Sequence, residues 1–461
     1  MCSFGLRAND ILNDHIGRRE QSMEACIVTP YITHGMRLRR ACFCAVCGGP
    51  MTRMFLNLRR PPREPRPMTE WESRLEGAPK LVNRSRDPFY GYAFTHCYVS
   101  DIRRLPHNRD CNVCYNTHDI KTSNVGWTRE LRVLGLNLDL YRDNNSPAYL
   151  SGRAKYTKGQ CIVLDVPSCT DENFPIREVL PFNGNADLHQ ATAYAIPNKG
   201  IFSPPVFPMH TCCLDILTEV LTGTNEPDNI DKDLLFATMY KHRKEFQLDL
   251  DYGPISGCQG VGWQVGNGQQ FSVANPTYIA PTLEDKLRSI IESSPNHNLS
   301  ADLNLSLKVL HDPFRKLPYD VLHHIAHLLP AASVFRLCSA SWTVHSTLRR
   351  NAMFWRSHAR HTSMPWFKEL TPFLMDDELT AGKDIATLLS ILNNKTKAKI
   401  YMEGPLIFVA NRRRIWELSE RLASLMANND RDTCIRFARA QIIAERSDYF
   451  ASIDMLVPDM T

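Results

Sequence analysis

The chain is most constrained between Asp312 and Trp355. Pro318 and Pro330 bracket a run in which Val321, Leu322, Ile325, Leu328 and Leu329 recur at i, i+1, i+4, i+7 and i+8, the spacing that winds onto one face of an α-helix. Pro318 suits the first turn, where a missing N–H goes unnoticed and a fixed φ is already helical. Asp320 then stands near the positive end of the helix dipole, and Pro330 ends the run. Ser333 is placed to cap a second helix carrying Val334, Leu337 and Cys338, and a third is expected from about Trp342 to Arg349, ahead of Phe354 and Trp355. Three short helices cannot bury so many large apolar side chains among themselves, so the stretch predicts leftover apolar surface and a partner that covers it.

These residues carry a resemblance. Leu317-Pro318 with an acidic residue two places on, the spaced Leu322, Ile325 and Leu328, the break at Pro330, Leu337, Ser341-Trp342, Leu348 and the closing Phe354-Trp355 together resemble an F-box. That is the docking helix cluster of Skp/cullin/F-box ubiquitin ligases. The likeness covers about a tenth of the chain. It implies that Leu317, Pro318, Val321, Leu322, Ile325, Leu328, Leu337, Trp342 and Trp355 form the interface with a Skp-type adaptor or the core beneath it. His323, His324 and His327 have no counterpart in that pattern.

Further matches extend the resemblance to filamentous-fungal F-box proteins: Cys44-x-x-Cys47-Gly48, Gly91-Tyr92 to Cys97, Trp127 to Leu136, Tyr149-Leu150-Ser151-Gly152 and Phe207-Pro208-x-His210. In that family the expected role is a receptor, docking on the adaptor and bringing a protein substrate to a cullin/RING ligase.

Length and composition set the outer bounds. With 461 residues, 43% apolar and 22% charged, the chain suits a soluble protein of several domains. A net charge of +5 is mild and no basic stripe interleaved with aromatics is seen, so nucleic acid is not an expected partner. No apolar run is long enough to span a membrane and no signal core opens the chain, so a cytoplasmic or nuclear location is expected.

The odd number of cysteines, fifteen, suits free thiols in a reducing compartment better than a disulfide scaffold. Two Cys-x-x-Cys pairs stand out. Cys44 and Cys47, followed by two glycines, have the look of a zinc knuckle, and Cys111 and Cys114 form the second pair. Four thiolates from the two would close a structural zinc site, with Cys42, Cys97, His96 and His118 as substitute ligands. Against this, 63 residues separate Cys47 from Cys111, well beyond a zinc-ribbon spacing, and small buried thiols remain the competing reading. No cofactor is required by the expected role.

The organisation expected is α+β: an N-terminal extension (1–40), a Cys-containing region with a Pro/Arg-rich loop (41–120), a mixed strand and helix domain (121–292), a linker (293–310), the F-box (311–358) and a C-terminal helical region (359–461). Strands are expected at Gln160 to Val166 and Gln270 to Ala274, the latter after a turn at Asn267-Gly268. Helices are expected around Cys212 to Leu221 and Asp231 to Phe246. In the tail, Ile385, Leu388, Leu389 and Leu392 make one apolar face and Ile415, Leu418, Leu422 and Leu425 another, with Arg412-Arg413-Arg414 opening the last helix as a solvated basic face.

Catalytic motifs are absent. The glycines from Gly257 to Gly268 lack the strand-to-helix context of a phosphate loop. His210 beside Cys212 and Cys213 lacks an orienting acid or an oxyanion element, which favours core thiols over a nucleophile and its base. The expectation is a non-catalytic receptor; a scaffold that binds the adaptor without a cullin, and an enzyme housed in 121–292, stay open.

Overall fold

The computed structural model describes residues 43–49, 51, 120, 122–137, 147–157, 160–164, 189–194, 204–244, 247–253, 270–296, 309 and 311–454. All of these belong to one compact unit, Arg40–Thr461. Cys111 and Cys114, the substitute ligands Cys42, Cys97, His96 and His118, and Asn267-Gly268 lie outside them. Among the described residues the architecture is α+β, with one antiparallel sheet and eleven α-helices.

The sheet contains β1 (Leu131–Leu136), β2 (Ala148–Leu150), β3 (Ala154–Thr157), β4 (Gln160–Val163), β5 (His189–Thr192) and β6 (Phe207–His210). β1 is central. One edge of it pairs with β6, Leu131 opposite His210 and Leu134 opposite Phe207, while the other pairs with β2 and then with β3. Between Leu134↔Leu150 and Leu131↔Ala154 the register slips by one residue, a bulge at Ser151-Gly152-Arg153. The Ser151 hydroxyl repairs the ladder there by accepting from the Val133 N–H at 2.9 Å. Five of the six β1 residues are buried, and a sheet covered on both faces has no need of polar alternation. A Cβ on Gly135 would fall 2.4 Å from the Tyr149 ring, so glycine there lets the aromatic cross the strand.

Helix α1 (Thr211–Thr222) leaves β6 directly, and α2 (Lys232–Lys241) starts at Asp231, whose carboxylate caps the Leu234 N–H at 3.1 Å. Expected helix and strand positions hold at α1, α2 and β4. Gln270–Val273 is a 3₁₀ turn rather than a strand, with all four residues buried. Burial on all four residues suits a covered strand as well as a turn, so the apolar pattern alone does not separate the two. Helix α3 (Leu283–Glu292) closes this half.

The 311–358 stretch folds as α4 (Tyr319–His327), α5 (Ala331–Ala340), α6 (Trp342–Leu348) and α7 (Ala352–His358). α5 begins at Pro330, ahead of the expected cap at Ser333. Asp312 fastens the start of the stretch to α6. Its carboxylate accepts from the Thr343 N–H at 2.9 Å, the Ser341 hydroxyl at 2.8 Å and the Phe314 N–H at 3.0 Å, and these donors, Thr343 foremost, hold its pKa down at about 2. Ser341 in turn caps α6 through the Val344 N–H.

Helices α8 (Leu370–Met375), α9 (Ile385–Thr396), α10 (Leu406–Ala427) and α11 (Arg431–Asp454) follow. Asp384 caps α9 through the Thr387 N–H and takes both arms of Arg349 at 2.6 and 2.7 Å. The expected apolar faces are buried at Ile385, Leu388, Leu389, Leu392, Ile415, Leu418 and Leu422. α10 packs on α1 and on α9, and so joins the sheet half to the helical half.

The basic triplet corrects an expectation. Arg412, Arg413 and Arg414 lie inside α10, not at its start, and are not a solvated face. Arg412 pairs with Glu369 at 2.7 Å, Arg413 donates to the Asn393 carbonyl at 2.6 Å, and the buried Arg414 donates to the Cys47 carbonyl at 2.9 Å. A helix packed on several sides turns its cations into fasteners between neighbours.

Candidate functional site

Two places combine unusual chemistry with a position set by the fold. The first is built by the first Cys-x-x-Cys pair. The Gly48 N–H bonds the Cys44 carbonyl and the Cys44 N–H bonds the Gly49 carbonyl, each at 2.9 Å, which closes residues 44–49 into a tight loop. Gly48 has φ +66°, and a Cβ on it would sit 2.6 Å from the Tyr252 ring; both facts require glycine. The loop is moored from several sides. Ala45 donates to the Pro208 carbonyl at 2.9 Å, Tyr252 to the Ala45 carbonyl at 3.0 Å and Tyr194 to the Phe43 carbonyl at 2.8 Å.

The bond to Pro208 sets the loop against the end of β6, where His210 and the first turn of α1 begin. Cys47 Sγ lies 3.4 Å from His210 Nδ1, and Cys213 Sγ lies 3.7 Å from the same nitrogen. The ligand atoms of Cys44, Cys47, His210 and Cys213 all fall within 4.8 Å of one another, and all four residues are buried. Backbone donors reach the sulfurs: Gly49 N–H to Cys47 Sγ at 3.3 Å and His210 N–H to Cys44 Sγ at 3.4 Å. Such a cluster can hold a metal ion. The two residues that complete it are His210 and Cys213, expected from the sequence to be a core histidine and a core thiol. Their x-x spacing, equal to that of Cys44 and Cys47 and placed at a strand-to-helix junction, was the available signal.

Electrostatics single out this cluster among the cysteines. Burial pushes the Cys161 thiol up to about 12, the behaviour of an inert core thiol. Burial also opposes ionisation of Cys44. Hydrogen bonds from Cys213 and Cys47 and the charge of His210 overcome it, and the Cys44 thiol is held well below its ordinary value. His210 is disfavoured as a cation by burial, yet the Cys44 and Cys47 sulfurs raise it well above the usual histidine range. Cys213 is pushed well up, chiefly by burial. The two shifts, at Cys44 and His210, each favour the charged form of the other.

The second place is the outward side of α4. Leu317 is 36%, Val321 42% and Leu328 71% exposed. Pro318 is exposed and Ile325 half-buried. Val321, Ile325 and Leu328 stand at i, i+4 and i+7, so they share one face. Leu322 and Trp355, expected at the interface or in the core beneath it, are buried in the unit's own core, while Leu337 and Trp342 are half-buried. Trp355 stacks on Phe335 at 4.8 Å between centroids and donates to the Leu348 carbonyl at 3.0 Å.

Two of the three histidines on α4 find a structural place here, while His324 is exposed. His323 and His327 meet edge to face at 4.5 Å, both pack against Phe354, and His327 lies 5.8 Å from His358. They form an aromatic layer between α4 and α7.

Comparison of the chain with protein-family models, with curated proteins and with solved structures finds no match. No described helix is long and apolar enough to cross a membrane.

Proposed function

We propose that the protein is an F-box receptor subunit, docking through the outward face of α4 on a Skp-type adaptor and tethering an unknown protein substrate to a cullin/RING ubiquitin ligase. The observation that carries this reading is the sorting of the F-box-like residues: Leu317, Pro318, Val321 and Leu328 are left uncovered while Leu322 and Trp355 fill the core. An apolar helix face held open by a well-packed support suits a protein partner. The role is non-catalytic. It works by raising the local concentration of substrate lysines near the charged conjugating enzyme, and it belongs to the cytoplasm or nucleus. A structural zinc ion in the Cys/His cluster would stiffen the sheet half and take no part in docking.

Co-purification tests the reading. Tagged full-length protein is expected to capture a Skp-type adaptor, and Leu317→Ala with Pro318→Ala to lose most of it while the thermal midpoint stays unchanged. Equal recovery of adaptor by the double variant and the wild type would overturn the assignment.

A further inference from the structure

We propose that Cys44, Cys47, His210 and Cys213 are the four ligands of a closed, tetrahedral Zn²⁺ site, independent of the docking role proposed above. Tetrahedral zinc with its usual bond lengths sets sulfur-to-nitrogen edges at roughly 3.5 Å and sulfur-to-sulfur edges at roughly 3.8 Å. The observed edges of 3.4 and 3.7 Å from His210 Nδ1 to Cys47 and Cys213 already match, and no ligand atom lies more than 4.8 Å from another.

Three soft sulfurs and one imidazole make a donor set for zinc in preference to magnesium or calcium, which take oxygen. With four protein ligands no coordination position is left for substrate or water, so the site is structural. Binding displaces to solvent the protons still held by the thiols and by the His210 imidazole, and leaves three thiolates and a neutral imidazole around a dication. The backbone N–H groups of Gly49 and His210 already point at two of those sulfurs, the arrangement that stabilises thiolate in a dry pocket.

The topology explains why this set closes and what closing achieves. Cys47 and His210 are 163 residues apart. They meet because β6 pairs with β1 and the loop bonds the Pro208 carbonyl. An ion here locks the Cys-bearing loop to the sheet edge and to the start of α1. Through the Arg414 bond to the Cys47 carbonyl, the same lock reaches α10. Because the site exists only in the folded chain, metal affinity is folding free energy.

The test uses the full chain purified under reducing conditions. Metal analysis is expected to find one zinc per chain, and Co²⁺ in its place to give the visible bands of a tetrahedral site with charge-transfer intensity for three thiolates. Cys111→Ser with Cys114→Ser is expected to keep both the stoichiometry and the spectrum. Cys213→Ser and His210→Ala are expected to lower metal affinity at least tenfold. The proposal is overturned by a wild-type chain free of stoichiometric metal, by an octahedral or four-sulfur cobalt spectrum, or by loss of the metal in the Cys111/Cys114 variant. Should Cys213→Ser or His210→Ala prove insoluble, the wild-type spectrum and the Cys111/Cys114 variant decide the matter.

Discussion

The Cys/His cluster and the α4 face are opposites in their surroundings. Around Cys44 and Cys47 the chain closes in from several sides: Tyr252 and Tyr194 bind the loop carbonyls, Arg414 reaches in from α10, and four ligand atoms lie within 4.8 Å of one another. All four residues of the cluster are buried. At α4 the support is finished and the surface is bare, with Leu328 71% exposed above a core that holds Leu322 and Trp355. Leu317 and Val321 extend the apolar surface beside it. The cluster should therefore govern stability and the helix face should govern association, and each can be broken without the other.

Metal removal should have the largest effect. Structural zinc sites contribute on the order of 10 kcal/mol to folding, so a strong chelator should lower the thermal midpoint by roughly 10 °C or more, and restored zinc should return it. Scanning calorimetry with and without chelator checks this. An unchanged midpoint in a protein shown to have lost its metal would separate the cluster from stability.

A pair of truncations in the helical half sharpens the contrast. Trp355→Ala removes a stacked, hydrogen-bonded, fully covered indole and should cost about 3–5 kcal/mol in chemical denaturation. Leu328→Ala, a few residues beyond the same core, should change stability by no more than about 0.5 kcal/mol. In adaptor binding the exposed leucine should be worth about 2 kcal/mol, roughly a thirty-fold loss of affinity by titration calorimetry. A large stability loss from Leu328→Ala would mean that the chain itself covers this face.

The two regions also differ in how far the sequence exposed them. α4, α5 and α6 were legible because their signals are local: helical spacing and two prolines within a few turns, although the cap expected at Ser333 is not the one used. The cluster was half legible. Cys44-x-x-Cys47-Gly48 gave the knuckle, but its partners depend on which strand β1 pairs with, a choice that carries no local signature. Cys111 and Cys114 matched the motif better than His210 and Cys213 did, and they drew the assignment. The Arg412–Arg414 triplet failed for a related reason. A basic run is read as solvated unless the long-range neighbours Glu369, Asn393 and Cys47 are known.

Asp384 should have a smaller effect. It caps α9 and holds Arg349 from the end of α6, and burial of the carboxylate is more than offset by the guanidinium and Thr387, which hold its pKa at about 2. Asp384→Ala should cost about 1–2 kcal/mol, the sum of a lost cap and a partly screened ion pair. High salt should shrink the cap-independent part, visible in denaturation at two ionic strengths. An unchanged midpoint would show that α9 does not depend on this fastening.

The smallest effect should come from pH. Burial lowers the pKa of His358, against the pull of the Leu329 and Ala326 carbonyls, and it lowers that of His327, with His323 and His358 adding repulsion. A histidine depressed in the folded state leaves stability complete above its unfolded value near 6.5 and removes it as pH falls below that value, because the unfolded chain takes up the proton first. Asp312 and Asp384 do not titrate in this window, since their folded values lie at about 2. The His358 ring donates from Nε2 to the Leu329 carbonyl at 2.9 Å, and Gln can keep that donor without titrating. Wild type should therefore lose more of its midpoint between pH 7.5 and pH 5 than His358→Gln does. Metal release in acid lowers both midpoints alike and cancels in the difference, so parallel pH curves would remove His358 as the group responsible.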